Sequence, residues 1–358
     1  MNVRVYDSMP AISEKAKSLH ASLFIADMHS DNLLWDRNIL DRKDHGHVDI
    51  PRLIEGNMAL QVFDAVIKTP RGQNYNSTDS SSDNITLLAM GNRWPIKTWT
   101  SLLERAIHQR NLLYSAAESA PDKIKVITHR EDLEQLVTDR KNGLKYVGGI
   151  LSLEGMHALE GDLKNINRLY DLGYRMLGPV HFFDNKIGGS SSGQKKGGLT
   201  PLGRKAMKFM SDKSMVVDLA HASPQLIQDV IAIDGIAVAV SHTGVKGILD
   251  SPRNLSDTEI KLIAEKGGLI GVGFWPEAIG SGKPSAIAEA IAYTIDIAGE
   301  DHVCLGSDFD GSTTIHFDAS MLAVLTDALI EKGLSENQIR KVMGENQLNF
   351  FLKHLPTR

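Results

Sequence analysis

Residues 147–154 read VGGILSLE, a run of mostly apolar side chains that ends in one carboxylate, Glu154. Its apolar residues do not alternate strictly with polar ones, which is typical of a parallel strand buried on both faces. Seven further runs have this character and are bounded by polar residues or glycine. The eight predicted strands are residues 23–28, 60–67, 147–153, 174–180, 215–220, 236–240, 269–274 and 302–306.

Helical patterns separate most of these strands, at residues 163–172, 201–213, 223–233, 256–266 and 285–298. Two of them begin with a capping residue and a proline, Thr200-Pro201 and Ser223-Pro224. Eight strands without a Pro/Gly-rich linker predict one α/β domain over residues 1–358, a single (β/α)8 TIM-type barrel. Insertions near 71–140 and 185–198 interrupt the alternation, and the Gly, Ser and Lys content of the second predicts a mobile loop.

Composition excludes several classes of partner. The 358 residues include 39 Lys+Arg and 44 Asp+Glu, a formal charge of −5, so neither nucleic acid nor an anionic membrane surface is expected to bind. Cys304 is the only cysteine, which excludes an intrachain disulfide and a cysteine-built zinc site. Because the sequence shows no signal peptide, membrane span or lipid-anchor signal, we expect a cytoplasmic protein.

Side chains that can bind metal follow the predicted strands at their C-terminal ends, where this fold carries its active sites. His29 and Asp31 follow the first strand, and Glu154, His221 and His242 follow the third, fifth and sixth. Burying three imidazoles and two carboxylates without a cation would be costly. One tetrahedral zinc needs fewer ligands, whereas two ions roughly 3.5–4 Å apart would use all five, with Glu154 as the bridge.

Longer motifs accompany these residues: DIPRL at 49–53, GNM at 56–58, EG at 154–155, GLTPLG at 198–203, DLAHAS at 218–223, SH at 241–242, PRN at 252–254, GSDFDG at 306–311 and GEN at 344–346. With them the chain resembles the membrane (renal) dipeptidase family, zinc dipeptidases of the amidohydrolase-like barrel class, over most of its length. The resemblance implies two Zn²⁺ ions. His29 and Asp31 would hold one, His221 and His242 the other, and Glu154 would bridge them.

The resemblance also implies roles for three residues outside the metal shell. His181 would lie near the scissile carbonyl, Arg253 would bind the free carboxylate of the substrate, and Asp308 would be the catalytic aspartate. We therefore expect a dipeptidase in which a metal-bridging hydroxide attacks the peptide bond and Asp308 passes the proton to the leaving amine. A dipeptide is the expected ligand, and the resemblance suggests a homodimer.

Two other functions stay open at this point. The first is another two-metal barrel hydrolase, such as a lactonase, a phosphotriesterase or a deaminase, because fold and metals do not separate these activities. Arg253 does separate them, since a planar guanidinium suits a carboxylate, which a neutral phosphotriester lacks. The second is a non-enzymatic barrel that keeps its metal site. The presence of Asp308 together with every candidate ligand argues against it, and turnover of dipeptides would decide.

Overall fold

The strands of the computed structural model, which describes residues 2–358, follow the predicted pattern. They are β1 (Val3–Arg4), β2 (Ile25–Ser30), β3 (Met58–Val66), β4 (Ile124–Val126), β5 (Val147–Glu154), β6 (Tyr174–Leu177), β7 (Val216–Asp218), β8 (Ala237–Thr243), β9 (Leu269–Val272), β10 (Val303–Leu305) and β11 (Thr314–Ile315). Within these residues, eight parallel strands form a closed ring in the order β3-β2-β10-β9-β8-β7-β6-β5, and the pairing of β3 with β5 completes it. The (β/α)8 barrel prediction is therefore confirmed.

Helices connect the strands of the barrel and surround it. They are α1 (Glu14–Ser22), α2 (Ile50–Glu55), α3 (Asn84–Gly91), α4 (Leu102–Ser119), α5 (Arg130–Lys141), α6 (Lys164–Asp171), α7 (Pro201–Asp212), α8 (Pro224–Ile231), α9 (Asp257–Glu265), α10 (Pro276–Ile279), α11 (Pro284–Ala298), α12 (Ala323–Glu331), α13 (Glu336–Arg340) and α14 (Asn346–His354). None of those formed by residues 2–358 is both long enough and apolar enough to cross a bilayer.

Two predicted helix starts are confirmed in their capping contacts. The hydroxyl of Thr200 accepts a hydrogen bond from the backbone of Gly203 at the start of α7, and that of Ser223 accepts one from Leu226 at the start of α8. In both helices the proline follows the cap, where its missing N–H is not needed. Strand bounds differ from the prediction by a few residues. The largest differences are at the ends of β6 and β8, and β6 ends at Leu177, which leaves His181 in the loop beyond it.

The insertion between β3 and β5 contains α3, α4, β4 and α5. Strand β4 is a short extra strand that pairs in parallel with the start of β5. The loop before α3 crosses the C-terminal mouth of the barrel, where Gln73, Asn74 and Tyr75 line a cavity. This insertion therefore forms part of the wall of the candidate site.

The second insertion, residues 185–198, is buried over residues 187–193 and exposed at residues 194, 195 and 197, so part of it is packed more closely than its composition predicted. Ser190, Ser191 and Ser192 are buried. The hydroxyl of Ser190 donates to the carbonyl oxygen of His181, and the backbone N–H of Ser191 donates to that of His221. Composition suggested mobility because glycine and serine bury little surface, but hydrogen bonds to the neighbouring loops replace apolar packing here.

Glycine permits close packing of three strands under the mouth of the barrel. A Cβ atom added at Gly271, in β9, or at Gly306, after β10, would lie 2.1 Å from the carbonyl oxygen of Ser241 in β8. Real side chains cannot approach a backbone oxygen so closely. The two glycines thus let β8, β9 and β10 meet around Ser241.

Candidate functional site

The five predicted metal ligands meet at the C-terminal mouth of the barrel. His29 is the penultimate residue of β2 and Asp31 follows that strand, Glu154 is the last residue of β5, His221 follows β7 and His242 lies in β8. All five side chains are buried. Because the carboxyl ends of parallel strands in a barrel face the same way, residues distant in sequence converge at this rim.

Glu154 lies between the histidines. Its Oε1 atom is 2.8 Å from Nε2 of His221 and 3.5 Å from Nε2 of His242, and its Oε2 atom is 3.0 Å from Nε2 of His181. It belongs to two groups whose ligand atoms all lie within 4.8 Å of one another, one with His29 and His242, the other with His181 and His221. A carboxylate shared by two such groups is the arrangement that a bridging ligand requires.

His29 and Asp31 form the other half of the cluster. Nε2 of His29 lies 3.2 Å from Oδ1 of Asp31, yet neither atom makes a hydrogen bond, and both are enclosed by protein. Buried polar atoms without partners are rare, because each costs about 1–3 kcal/mol. Nε2 of His29 and Oδ1 of Asp31 lie side by side but do not form a hydrogen bond with each other. Their arrangement therefore suits a cation that both atoms bind.

Burial sets the charge states of several candidate ligands. It raises the pKa of the Glu154 carboxyl well above its usual range, and the Asp31 carboxylate raises it further. It lowers the pKa values of His221 and His242 far below normal, because a buried imidazolium loses its hydration. Both imidazoles are therefore neutral near pH 7, which is the form that binds a metal ion.

At His29 the effect of nearby carboxylates on the pKa outweighs the effect of burial. Burial alone would lower its pKa, but the carboxylates of Asp31, Asp64 and Glu154 together raise it well above the usual value. Asp64 lies in β3 with an oxygen 3.6 Å from Nδ1 of His29, and burial raises its own pKa to about 7. His29 is thus enclosed by acidic groups, an environment that attracts positive charge.

The remaining predicted residues line the same mouth. Asp308 follows β10 with its Oδ1 3.8 Å from Nε2 of His29, and it forms a further candidate metal group with His29 and Asp31. His181 and Asp308 therefore both lie within reach of candidate ligands. Zinc content of their variants will separate a ligand role from a catalytic one.

Two of these residues have unusual backbone conformations. His221 and Asp308 adopt positive φ angles of 61° and 56°. Residues other than glycine rarely occupy this region, and it costs of order 1–3 kcal/mol when a structure enforces it. The hydrogen bond from Ser191 to the His221 carbonyl, and that from Thr313 Oγ1 to the Asp308 carbonyl, help to hold the two turns. Such strain is typical of functional sites.

Arg253 is a buried cation whose guanidinium forms no direct ion pair. Its side chain is almost fully enclosed, and Nη2 donates to the carbonyl oxygen of His242 at 2.9 Å. Its guanidinium forms no direct ion pair with a carboxylate of residues 2–358, although Tyr75, Glu154 and Asp308 partly offset the lowering of its pKa by burial. Its centre lies 5.9 Å from the Trp275 ring. A buried cation without a counter-ion is expensive. A guanidinium in this position can accept an anionic group of a ligand.

A cavity of about 720 Å³ connects these groups. Asp31, Glu154, His181, Arg253 and Asp308 line it on the barrel side, whereas other walls are apolar or aromatic. The apolar and aromatic lining residues include Leu34, Trp35, Val66, Tyr75, Ile85, Leu88, Phe182 and Trp275. This mixture of a few convergent polar groups with apolar walls is typical of a small-molecule site.

Several residues near the centre escaped the sequence analysis. Asp64 and Asp218 are buried carboxylates inside predicted strands, and a charge within an apolar run was the signal that could have revealed them. Tyr75 had no such signal, because it lies in a polar loop. Its hydroxyl accepts from Nε1 of Trp275 at 3.1 Å, and its ring stacks on Phe182 with centroids 6.1 Å apart.

Comparison with known sequences places this architecture among peptidases. The family model for membrane dipeptidase (peptidase family M19) matches residues 13–353. An uncharacterized dipeptidase of Schizosaccharomyces pombe is 26% identical over 347 residues, covering 90% of this chain and 79% of that protein. Dipeptidase tcpJ of Claviceps purpurea is 25% identical over 334 residues, covering 89% of this chain and 73% of that protein.

Solved structures agree in fold. A metallopeptidase from Rhodobacter sphaeroides, bound to a phosphinate mimic of the dipeptide L-Ala-D-Ala, has a TM-score of 0.74 and 24% identity, covering 93% of this chain and 99% of that chain. The probable dipeptidase PvdM from Pseudomonas aeruginosa has a TM-score of 0.77 and 20% identity, covering 96% of this chain and 98% of that chain. Both similarities support the barrel over nearly its full length.

Proposed function

Because the chain belongs to the membrane dipeptidase family, peptidase family M19, we propose that it is a binuclear-zinc enzyme that hydrolyses the peptide bond of dipeptides. The observation that carries the proposal is Arg253, a buried guanidinium without a direct ion pair, on the wall of the cavity that Glu154 and His181 also line. A dipeptide brings a carboxylate for the guanidinium and a peptide bond for the metal-binding groups. A lactone or a neutral phosphotriester would leave the cation unpaired.

The donor set suits zinc. His29 and Asp31 would hold one ion, and His221 and His242, whose Nε2 atoms lie 3.1 Å apart, would hold the other. Glu154 would contact both, so that all ligand atoms are nitrogen or carboxylate oxygen. The unpartnered buried atoms of His29 and Asp31 support this assignment. When bound, two zinc ions supply hydroxide near neutral pH, by lowering the pKa of water from 15.7 toward roughly 7, and polarise the peptide carbonyl.

The other side chains supply binding and proton transfer. Arg253 would pair with the terminal carboxylate and so orient the dipeptide in the cavity. Nε2 of His181 would donate a hydrogen bond to the oxyanion that develops on the peptide carbonyl. An oxygen of Asp308 would accept the proton of the attacking water and pass it to the leaving amine, which yields two amino acids.

A substrate panel tests the proposal. The metal-depleted protein, reconstituted with zinc, is assayed against L-Xaa-L-Xaa and L-Xaa-D-Xaa dipeptides, with a lactone and a phosphotriester as comparison substrates. We expect dipeptide hydrolysis that a chelator abolishes and added zinc restores. Hydrolysis of the lactone or the phosphotriester without any dipeptide cleavage would replace the proposal with another two-metal hydrolase.

His181→Ala is expected to lower kcat for dipeptides by about a hundredfold, the lower end of what one oxyanion donor contributes, since one of several groups that stabilise the developing oxyanion is lost. Zinc content, measured by atomic absorption, should stay at the wild-type level. His157→Ala is the matched control, because His157 is also an enclosed imidazole near Glu154 but lines a separate cavity. A His181 variant that loses zinc would identify His181 as a ligand instead.

A further inference from the structure

A chain of hydrogen bonds runs from β7 to one of the candidate zinc ligands. Oγ of Ser241 lies 2.6 Å from Oδ2 of Asp218 and 2.8 Å from Nδ1 of His242. All three side chains are buried, so water does not compete for these contacts. The other carboxylate oxygen of Asp218 is also fixed by hydrogen bonds. Oδ1 accepts from the backbone N–H groups of Ala220 and Ser241, at 3.0 and 2.8 Å.

The direction of each bond follows from the number of protons available. A carboxylate is an acceptor only, and a serine hydroxyl has a single proton. If Ser241 donates that proton to Asp218, its lone pair must accept from His242, so Nδ1 of His242 carries the ring proton. Nε2 of the same ring then has a free lone pair, and it points into the site, 3.1 Å from Nε2 of His221 and 3.5 Å from Glu154 Oε1.

We propose that Asp218 and Ser241 are positioning residues that hold His242 in the tautomer whose Nε2 can bind the metal. The inference rests on the proposed function, since it assigns His242 to a zinc ion. It adds that the ligand is prepared before any ion arrives. Partners behind a metal-binding histidine commonly fix its ring in this way, and their loss typically costs 10–100-fold in metal affinity.

Asp218→Asn provides a sharp test, because the backbone dictates how the new amide must sit. The two N–H groups that now bond Oδ1 require the amide oxygen in that place, which turns the amide nitrogen toward Ser241. The amide then donates to Ser241, the hydroxyl proton turns to Nδ1 of His242, and Nε2 becomes protonated. The variant keeps shape and volume but enforces the wrong tautomer.

Zinc affinity of the full chain, measured by competition with a chelator, should fall about 10–100-fold in Asp218→Asn. Ser241→Ala removes the relay but leaves the ring free to take either tautomer, so its loss should be smaller. The double variant should therefore bind zinc better than Asp218→Asn alone. Losses that multiply in the double variant, or an unchanged affinity in Asp218→Asn, would overturn the proposal.

Asp27→Asn is the matched control. Asp27 bonds the backbone N–H and the hydroxyl of Ser307 at 2.8 and 2.7 Å, the same arrangement as Asp218 with Ser241. The Ser307 hydroxyl also lies 3.0 Å from the backbone carbonyl oxygen of His29, but it contacts no imidazole ring of residues 2–358, so this chain does not set a tautomer. Its zinc affinity should remain at the wild-type level. An equal loss in Asp27→Asn would show that any buried carboxylate of the barrel matters, and would overturn the specific relay.

A second readout needs neither metal nor turnover. In metal-free protein labelled with ¹⁵N-histidine, the nitrogen spectrum should place the proton of His242 on Nδ1, and on Nε2 in Asp218→Asn. A wild-type proton on Nε2 would overturn the proposal even if the variant failed to fold. Zinc binding with the expected variant pattern, in a protein that cleaves no dipeptide, would refute the proposed function and keep the relay.

Discussion

Asp308→Asn is expected to lower kcat for dipeptide hydrolysis by about 10³-fold, within the 10²–10⁴-fold that a positioned acid/base group usually contributes. The amide keeps the size of the side chain and can still form hydrogen bonds, but it cannot accept the proton of the attacking water or deliver it to the leaving amine. Steady-state kinetics on the zinc-loaded variant measure the loss. KM should change little, since ground-state binding rests mainly on Arg253.

Zinc content decides how such a loss is interpreted. Asp308 lies 3.8 Å from His29 and within a candidate metal group, so a ligand role predicts that the variant loses metal. We expect both zinc ions to remain. An inactive variant with depleted zinc would place Asp308 in the metal shell, and the proton would then need another carrier.

Arg253→Met should lower kcat/KM for dipeptides by roughly two to three powers of ten, because an ion pair in a partly dry site contributes on the order of 2–4 kcal/mol and each 1.36 kcal/mol is tenfold. Methionine keeps the length and packing of the arginine stem but has no charge. Zinc content should not change, because the guanidinium contacts the backbone carbonyl of His242 and not its ring. Arg253→Lys should recover only part of the loss, since lysine lacks the bidentate geometry.

Dipeptide amides separate the carboxylate clamp from a general effect on the cavity. An amide lacks the terminal carboxylate, so the wild type should hydrolyse it poorly and Arg253→Met should reduce its hydrolysis much less. Equal cleavage of acid and amide by the wild type would contradict the clamp. The substrate class would then have to be sought elsewhere among the two-metal hydrolases.

Local sequence patterns were sufficient to predict the barrel because each of its strands is buried on both faces, and burial selects a mostly apolar run such as residues 147–153. The cap residues Thr200 and Ser223 could also be predicted, since a cap bonds to a backbone N–H only three residues away. The packing of the second insertion could not be predicted in this way. Residues 185–198 have the composition of a mobile loop. Their hydrogen bonds to the carbonyl groups of His181 and His221 depend on the path of the chain in three dimensions, which composition does not reveal.

The sequence by itself determined the barrel and predicted which side chains, from His29 to Asp308, would gather at its mouth. It could do so because the fold brings the ends of all its strands to one rim, which makes linear position a sufficient guide. Only the tertiary structure brought Asp218 to Ser241, Asp64 to His29 and Tyr75 to Trp275. Hydrogen bonds and ion pairs weaken steeply with distance, so those contacts depend on strand register and loop path to within about an ångström. No local pattern in the chain encodes positions to that precision.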